Sequence, residues 1–211
     1  SHQKAVSAME ACRFKAEIVP VESAGKKGPT VVEKDEGPRK ETSLDALAAL
    51  KPSFEKDGTV TPGNAPGLND GASALVVTSL AFAKAHGLEA LARITAYASA
   101  GGEPKDLFFA PIVAVQNLMK KAKTTIGDYD LIEANEAFAV QAIADGRALG
   151  WDWDRVNVNG GAIALGHPIG ASGARILTTL LFALKDRKQT TGLATLCLGG
   201  GNAVALSVEM L

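Results

Sequence analysis

The pattern of apolar and polar positions alternates between two periods along most of this chain. Apolar runs of strand length cover Glu17–Val21, Ala72–Val77, Leu91–Ser99, Leu131–Ala134, Leu193–Leu198 and Ala203–Glu209. Between them lie segments with helical spacing. Residues 4–13 read as a short helix, Ser43 caps a helix over Leu44–Leu50 closed by Pro52, and Leu80–His86 is stopped by Gly87. Pro111 opens a helix to about Lys123, with Ile112, Val115, Leu118, Met119 and Ala122 at helical spacing. Phe138–Leu149 is a mostly apolar, buried helix, and Ser172–Lys185 places Ile176, Leu177, Leu180, Leu181 and Leu184 on one face. Residues 22–43 and 58–71, rich in Gly and Pro, read as loops. Strands alternating with helices predict an α/β layered fold.

Composition narrows the function. Of 211 residues, 46% are hydrophobic and 21% charged, which fits a globular protein with a sizeable core. Lys and Arg total 22 against 23 Asp and Glu, so there is no basic excess to serve nucleic acid or an anionic membrane. No apolar run reaches bilayer length, and the first residues lack an apolar signal region, so a cytoplasmic location is the default expectation. The mixed charges from Lys26 to Glu41 read as a solvated loop. The segment Asn69–Val77 echoes Gly200–Val208, each a small-residue turn entering an apolar strand, which hints at duplication.

Three short strings concentrate chemistry in the last third: Asn135-Glu136-Ala137-Phe138, Gly166-His167-Pro168-Ile169-Gly170-Ala171-Ser172-Gly173 and Cys197-Leu198-Gly199-Gly200-Gly201. They place an amide, an imidazole and a thiol beside glycine-rich backbone, the parts needed to move protons and hold an oxyanion. Each residue also has a plain structural reading. His167 could bond a loop carbonyl, Asn135 could cap the helix that follows, and Cys197 could be an inert strand cysteine. If functional, Cys197 is expected to have its pKa lowered by nearby donors, and the amides after it could form an oxyanion hole. Cys12 ends an Ala/Met-rich helix and reads as a boundary residue. His167 and Cys197 lack the spacing and companions of a metal site.

In this order the three strings resemble the C-terminal half of thiolases, and similarity runs from about Arg13 to the C-terminus. GHPIGASGAR is more like the biosynthetic acetyl-CoA acetyltransferases than the β-oxidation 3-ketoacyl-CoA thiolases. The resemblance implies a thiolase-like α/β layered fold, with a mixed five-stranded sheet covered by helices and part of a loop domain. Residues 1–68 would finish the loop (lid) domain, 69–90 would supply the last strand and helix of the N-terminal domain, and 91–211 would form the C-terminal domain.

It also implies a Claisen condensation of two acetyl-CoA to acetoacetyl-CoA, and the reverse thiolysis. Cys197 would be the acid/base. His167 would activate the nucleophilic cysteine and help bind the thioester oxygen, Asn135 would hold a water in that oxyanion hole, and the Gly199 amide would serve a second hole. Arg39 and Phe54 would lie near the nucleotide end of coenzyme A, and Ala137 and Phe138 would line the pantetheine channel. Pro66 stands where many members have a pantetheine-contacting serine, and Leu107 where biosynthetic members often have methionine. Substrates would be coenzyme A thioesters with no cofactor and no metal. The family's nucleophile is a different cysteine, expected from an N-terminal half that would act as this chain's partner. A homodimer or homotetramer is expected, without nucleic-acid or membrane partners. The alternatives are a 3-ketoacyl-CoA thiolase of β-oxidation and a non-catalytic acyl-CoA-binding fragment.

Overall fold

The computed structural model describes residues 1–25 and 28–211. Its centre is a mixed sheet built from β3 (Ala92–Gly101), β4 (Leu131–Ala134), β5 (Thr191–Leu198) and β6 (Asn202–Met210), in the order β3-β6-β5-β4. The β4–β5 pair is parallel, while β5–β6 and β6–β3 are antiparallel. Beyond β4, Val156 adds a single parallel bridge to Ile132, so a fifth segment flanks that edge.

Alternation along the strands divides the core in two. Ile132, Ala134, Leu193, Ala203 and Ala205 face α4 (Ala110–Ala122), which contributes Ala114, Val115 and Leu118. Leu131, Ala194 and Val208 face the opposite way, onto Ile176, Leu180, Leu181 and Leu184 of α7 (Ser172–Arg187). The result is a helix–sheet–helix sandwich. Gly192 shows how closely α7 is seated: a Cβ there would stand 2.8 Å from Leu184 Cδ1 and 3.0 Å from both Leu180 methyls.

The remaining helices are α1 (His2–Glu10), α2 (Leu44–Ala48), α3 (Leu80–Ala85), α5 (Ala139–Leu149) and α6 (Ala162–Leu165). Ser43 and Ser79 cap α2 and α3 by accepting from the amides of Ala46 and Phe82, both at 3.1 Å. A left-handed Lys123 ends α4 and a left-handed Gly150 ends α5.

Three expectations change. The strand expected at Glu17–Val21 is replaced by a 3-10 turn over Arg13–Ala16 and then β1 (Val21–Gly25). The loop expected over 22–43 contains β2 (Gly28–Val32), antiparallel to β1. An isolated hairpin whose residues are nearly all exposed has no apolar alternation to announce it. Lys26 and Lys27 of the expected charged loop lie outside the described residues.

Ala72–Val77 is not a paired strand among the described residues, and Val76 and Val77 are 89% and 70% exposed. A strand exists only through a ladder, and this segment finds none. It lies instead along α7, with Leu75 against the α7-side core and Ser73 Oγ 3.0 Å from Thr178 Oγ1. Of the two similar segments noted in the sequence, only the second is therefore a sheet strand.

Candidate active site

The parallel pair β4–β5 brings two of the three strings together. Ala134 pairs with Thr195, and the Asn135 amide donates to Thr195 O at 3.0 Å, so Asn135 leaves the C-terminal end of β4 while Cys197 lies two residues further along β5. Carboxyl ends of parallel strands are where open α/β sheets place their sites. By strand alternation Cys197 shares the face of Leu193 and Thr195, the α4 side.

Asn135 does not cap the following helix. The N-cap of α5 is Phe138, and Asn135 is 1% exposed, with Nδ2 3.4 Å from His167 Nε2. Its Oδ1 is buried without a partner among the described residues. The side chain therefore points into the site.

His167 is held on two sides. Its amide donates to Asn69 Oδ1 at 3.2 Å, and its Nδ1 is 2.6 Å from Ser172 Oγ. The single Ser172 hydroxyl proton is directed to Pro168 O at 2.9 Å, so Oγ is left to accept from an Nδ1–H. That fixes the Nε2 lone pair toward Asn135 Nδ2, which donates to it. Gly166, at φ +99°, lets the chain pass Asn69: a Cβ would fall 2.7 Å from Asn69 Cγ. Burial, aided by the Arg175 guanidinium, holds His167 below its ordinary pKa, so the ring is neutral at pH 7.

Cys197 is a buried free thiol. Its pKa is not lowered as expected from the sequence. Burial pushes it up, partly opposed by a backbone hydrogen bond, and the Asp145 charge adds to the rise. The resting group is a neutral thiol, a weaker acid than an exposed cysteine, and its thiolate is a correspondingly stronger base. Past it, Gly199 has open space where a Cβ would be, while Gly200 and Gly201 turn the chain at φ +79° and +90°. Gly201 also lies against Gly102, whose amide donates to Gly201 O at 2.9 Å.

Of the expected coenzyme-A contacts, three converge. Ala137 and Phe138 lie two and three residues past Asn135, and Phe138 makes edge-to-face contacts with Phe54 at 6.2 Å and Phe108 at 5.2 Å between ring centroids. Phe54 stays 74% exposed, open to a ligand. The Arg39 amide donates to His2 Nδ1 at 3.2 Å.

Several residues with positioning roles were not singled out in the sequence. Asn69 and Ser172 hold His167, and both lay inside quoted strings, so hydrogen-bonding capacity there was the available signal. Phe108 completes the aromatic group. Glu136 ties the site loop to its neighbours, accepting from Asn157 Nδ2 at 3.1 Å, the Ile163 amide at 3.0 Å and Ser1 Oγ at 2.9 Å. Asn157 also bonds the amide and carbonyl of Ala134 at 2.8 and 2.9 Å, clamping the end of β4.

Beneath the site, buried Glu133 faces Arg175 at 3.5 Å. Burial raises Glu133 to about 8 and Glu17 to about 7, despite the pull of Arg175.

Comparisons with known proteins place the chain in a family. The model of the thiolase N-terminal domain matches residues 1–81, and that of the thiolase C-terminal domain matches residues 88–210. An acetyl-CoA acetyltransferase of Pseudomonas aeruginosa is 56% identical over 209 residues, covering 99% of this chain and 53% of the relative. One from Escherichia coli is 54% identical over 211 residues, covering 100% and 54%. The crystal structure of the Bacillus anthracis acetyl-CoA acetyltransferase superposes with a TM-score of 0.97 at 46% identity, covering 100% of this chain and 54% of that one. Human mitochondrial 3-ketoacyl-CoA thiolase superposes at 0.91 with 38% identity, covering 100% and 53%. The chain thus spans about half the length of the curated relatives it matches. Its two matched domains, its sheet and the three strings gathered at the ends of β4 and β5 make this chain a member of the thiolase family.

Proposed function

We propose that this chain is the acid/base half of an acetyl-CoA acetyltransferase, which condenses two acetyl-CoA to acetoacetyl-CoA and thiolyses the product. The reading rests on one observation above all: Asn135 and His167 meet at 3.4 Å at the carboxyl end of the sheet that also ends in Cys197 and the open Gly199 loop. The nucleophilic cysteine is assigned to N-terminal sequence outside these 211 residues, because Cys12 is exposed at the end of α1. We assign residues 1–68 to the remainder of a loop domain, 69–90 to the end of an N-terminal domain and 91–211 to the C-terminal domain.

In condensation, the nucleophilic cysteine attacks the thioester carbonyl of the first acetyl-CoA and Cys197 protonates the departing coenzyme A thiolate, which leaves an acyl-cysteine and the Cys197 thiolate. His167, neutral and with its Nε2 lone pair presented, accepts that cysteine's proton. Asn135 uses its free Oδ1 to hold a water at the thioester oxygen of the second acetyl-CoA. The Cys197 thiolate removes a proton from its methyl group, and the resulting carbanion attacks the acyl-cysteine carbonyl. The Gly199 amide donates to the oxyanion that forms there. The nucleophile's thiolate leaves as acetoacetyl-CoA is released, and in thiolysis Cys197 returns the proton. Phe54, Ala137 and Phe138 contact coenzyme A, and Arg39 is assigned to its nucleotide end. The coenzyme A thioesters are substrates and no cofactor is assigned. Cytoplasmic location and assembly as a homodimer or homotetramer belong to the same proposal and rest on kinship and balanced charge.

The test is thiolysis of acetoacetyl-CoA by the chain paired with an N-terminal thiolase half, followed through loss of the enolate absorbance. Turnover that disappears in Cys197→Ser and His167→Asn supports the reading. Binding of coenzyme A thioesters without turnover in any pairing would favour a non-catalytic acyl-CoA-binding role.

A further inference from the structure

A pair of charged side chains is buried between β4 and α7, and the proposed mechanism gives it no task. Glu133 is 1% exposed, and its Oε2 accepts from Arg175 Nη1 at 3.5 Å. Each is the other's only side-chain partner among the described residues, where Glu133 Oε1 and Arg175 Nε and Nη2 are buried with none. By strand alternation Leu131, Glu133 and Asn135 point to one side of β4, the side that α7 covers. On α7, Ser172, Arg175, Ile176 and Leu180 recur at helical spacing. The two elements therefore meet in successive layers. Leu131 shares an apolar cluster with Ile176 and Leu180, Glu133 meets Arg175, and Asn135 meets the His167 that Ser172 holds.

The middle layer is costly. Taking two charges out of water is expensive, and apolar side chains of similar volume would serve stability as well or better. What the pair adds is register. Apolar side chains let a helix slide slightly on a sheet, whereas a guanidinium and a carboxyl meet in few arrangements.

We propose that Arg175 and Glu133 are positioning residues, which lock the first turn of α7 onto the end of β4 and so set the approach of His167 to Asn135. This deepens the acetyl-transfer reading and rests on it, since that reading makes Asn135 and His167 one working unit. Glu133 stands two residues before Asn135, and Arg175 three residues after Ser172, whose Oγ accepts from His167 Nδ1 at 2.6 Å. Two short spans of backbone thus carry the link to both members of the 3.4 Å pair. Burial raises Glu133 to about 8, so ionised and protonated forms coexist near neutrality. Either form keeps an oxygen that accepts from Nη1, so the link needs the acceptor more than the full charge.

The test reads Asn135 and His167 by NMR of the 13C,15N-labelled chain. No turnover is required, so its failure is separate from failure of the thiolase reading. The parent protein should show cross-relaxation between the Asn135 side-chain amide protons and the His167 ring. Glu133→Gln keeps an acceptor and should preserve both this signal and the Asn135 amide resonances. Glu133→Leu/Arg175→Met replaces the pair by two apolar side chains, a change that is often neutral or stabilising. It should still shift the Asn135 amide resonances and weaken the cross-relaxation by roughly half or more, the effect of a displacement of about 0.5 Å, which is the tolerance of a functional site. A pair that only stabilises the fold would leave both signals where they are. A folded double variant whose signals match the parent therefore overturns the proposal, whatever its stability. If the double variant does not fold, the Arg175 guanidinium of the parent decides. Separate, slowly exchanging Nη1 and Nη2 signals support a held side chain, and one averaged signal overturns the proposal.

Discussion

Ser172→Ala isolates the hydrogen bond that sets the His167 tautomer. Ser172 is fully buried and its hydroxyl does two things: it accepts from His167 Nδ1 at 2.6 Å and donates to Pro168 O at 2.9 Å. Alanine removes both. Pro168 O still accepts the Ala171 and residue-172 amides at 2.8 and 2.9 Å, so the backbone turn is retained. The Nδ1–H has no such substitute. Leaving a buried donor unpaired costs about 1–3 kcal/mol, which shifts the balance between Nδ1–H and Nε2–H forms by roughly five- to 150-fold. In the Nε2–H form, that proton would point at Asn135 Nδ2, itself a donor, so the ring must also turn. Long-range 1H–15N correlation spectra of 15N-histidine protein report the tautomer without any activity. The parent protein should show Nδ1–H at His167, and Ser172→Ala a mixture or the other tautomer. An Nε2–H signal in the parent protein, or an unchanged tautomer in Ser172→Ala, would refute the hydrogen-bond assignment on which the role of His167 rests.

Other outcomes follow from packing and charge. Leu180→Ala, at a site with no exposure, should cost about 2–5 kcal/mol in denaturant unfolding. Gly192→Ala should cost about 1–3 kcal/mol by overpacking, and the double substitution should cost less than the sum, because the Gly192 Cβ would enter the space that Leu180 vacates. Thermal unfolding should lose stability as pH rises toward 7 and 8. Glu17, Asp145 and Glu133 are held at about 7, 7 and 8, so the folded state binds more protons than the unfolded chain in that window. Glu17→Gln should flatten the decline, and an unchanged slope would argue against that carboxyl's burial. His167 acts in the opposite sense: its lowered pKa removes stability as pH falls below the ordinary histidine value, and His167→Asn should abolish that part. At neutral pH, iodoacetamide followed by peptide mass analysis should label exposed Cys12 well before buried Cys197.

Much of the fold was legible in the sequence. Strands β3 to β6 and helices α4, α5 and α7 each carry apolar residues at one period, because each buries a face against a neighbour. The caps at Ser43 and Ser79 act within one turn and needed nothing distant. The misreadings fall where burial is lacking. The β1–β2 hairpin leaves its side chains outward, and Ala72–Val77 has strand composition without a strand beside it. For the site, the strings located Asn135, His167 and Cys197. Their local readings stayed open because capping, carbonyl bonding and inert burial all suit the same residues.

The sequence by itself determined the period of each element, the turns that end them and the three chemical groups, since these depend on neighbours a few residues away. Only the tertiary structure decided where those groups stand and what surrounds them. Parallel pairing set Asn135 beside the strand that ends in Cys197, Ser172 and Asn69 fixed the orientation of His167, and burial reversed the expected direction of the Cys197 shift. Each of these rests on contacts between distant parts of the chain, and on the loss of water that comes with them. Desolvation and distant hydrogen bonds have no local signature, which is why they became visible only when the chain was folded.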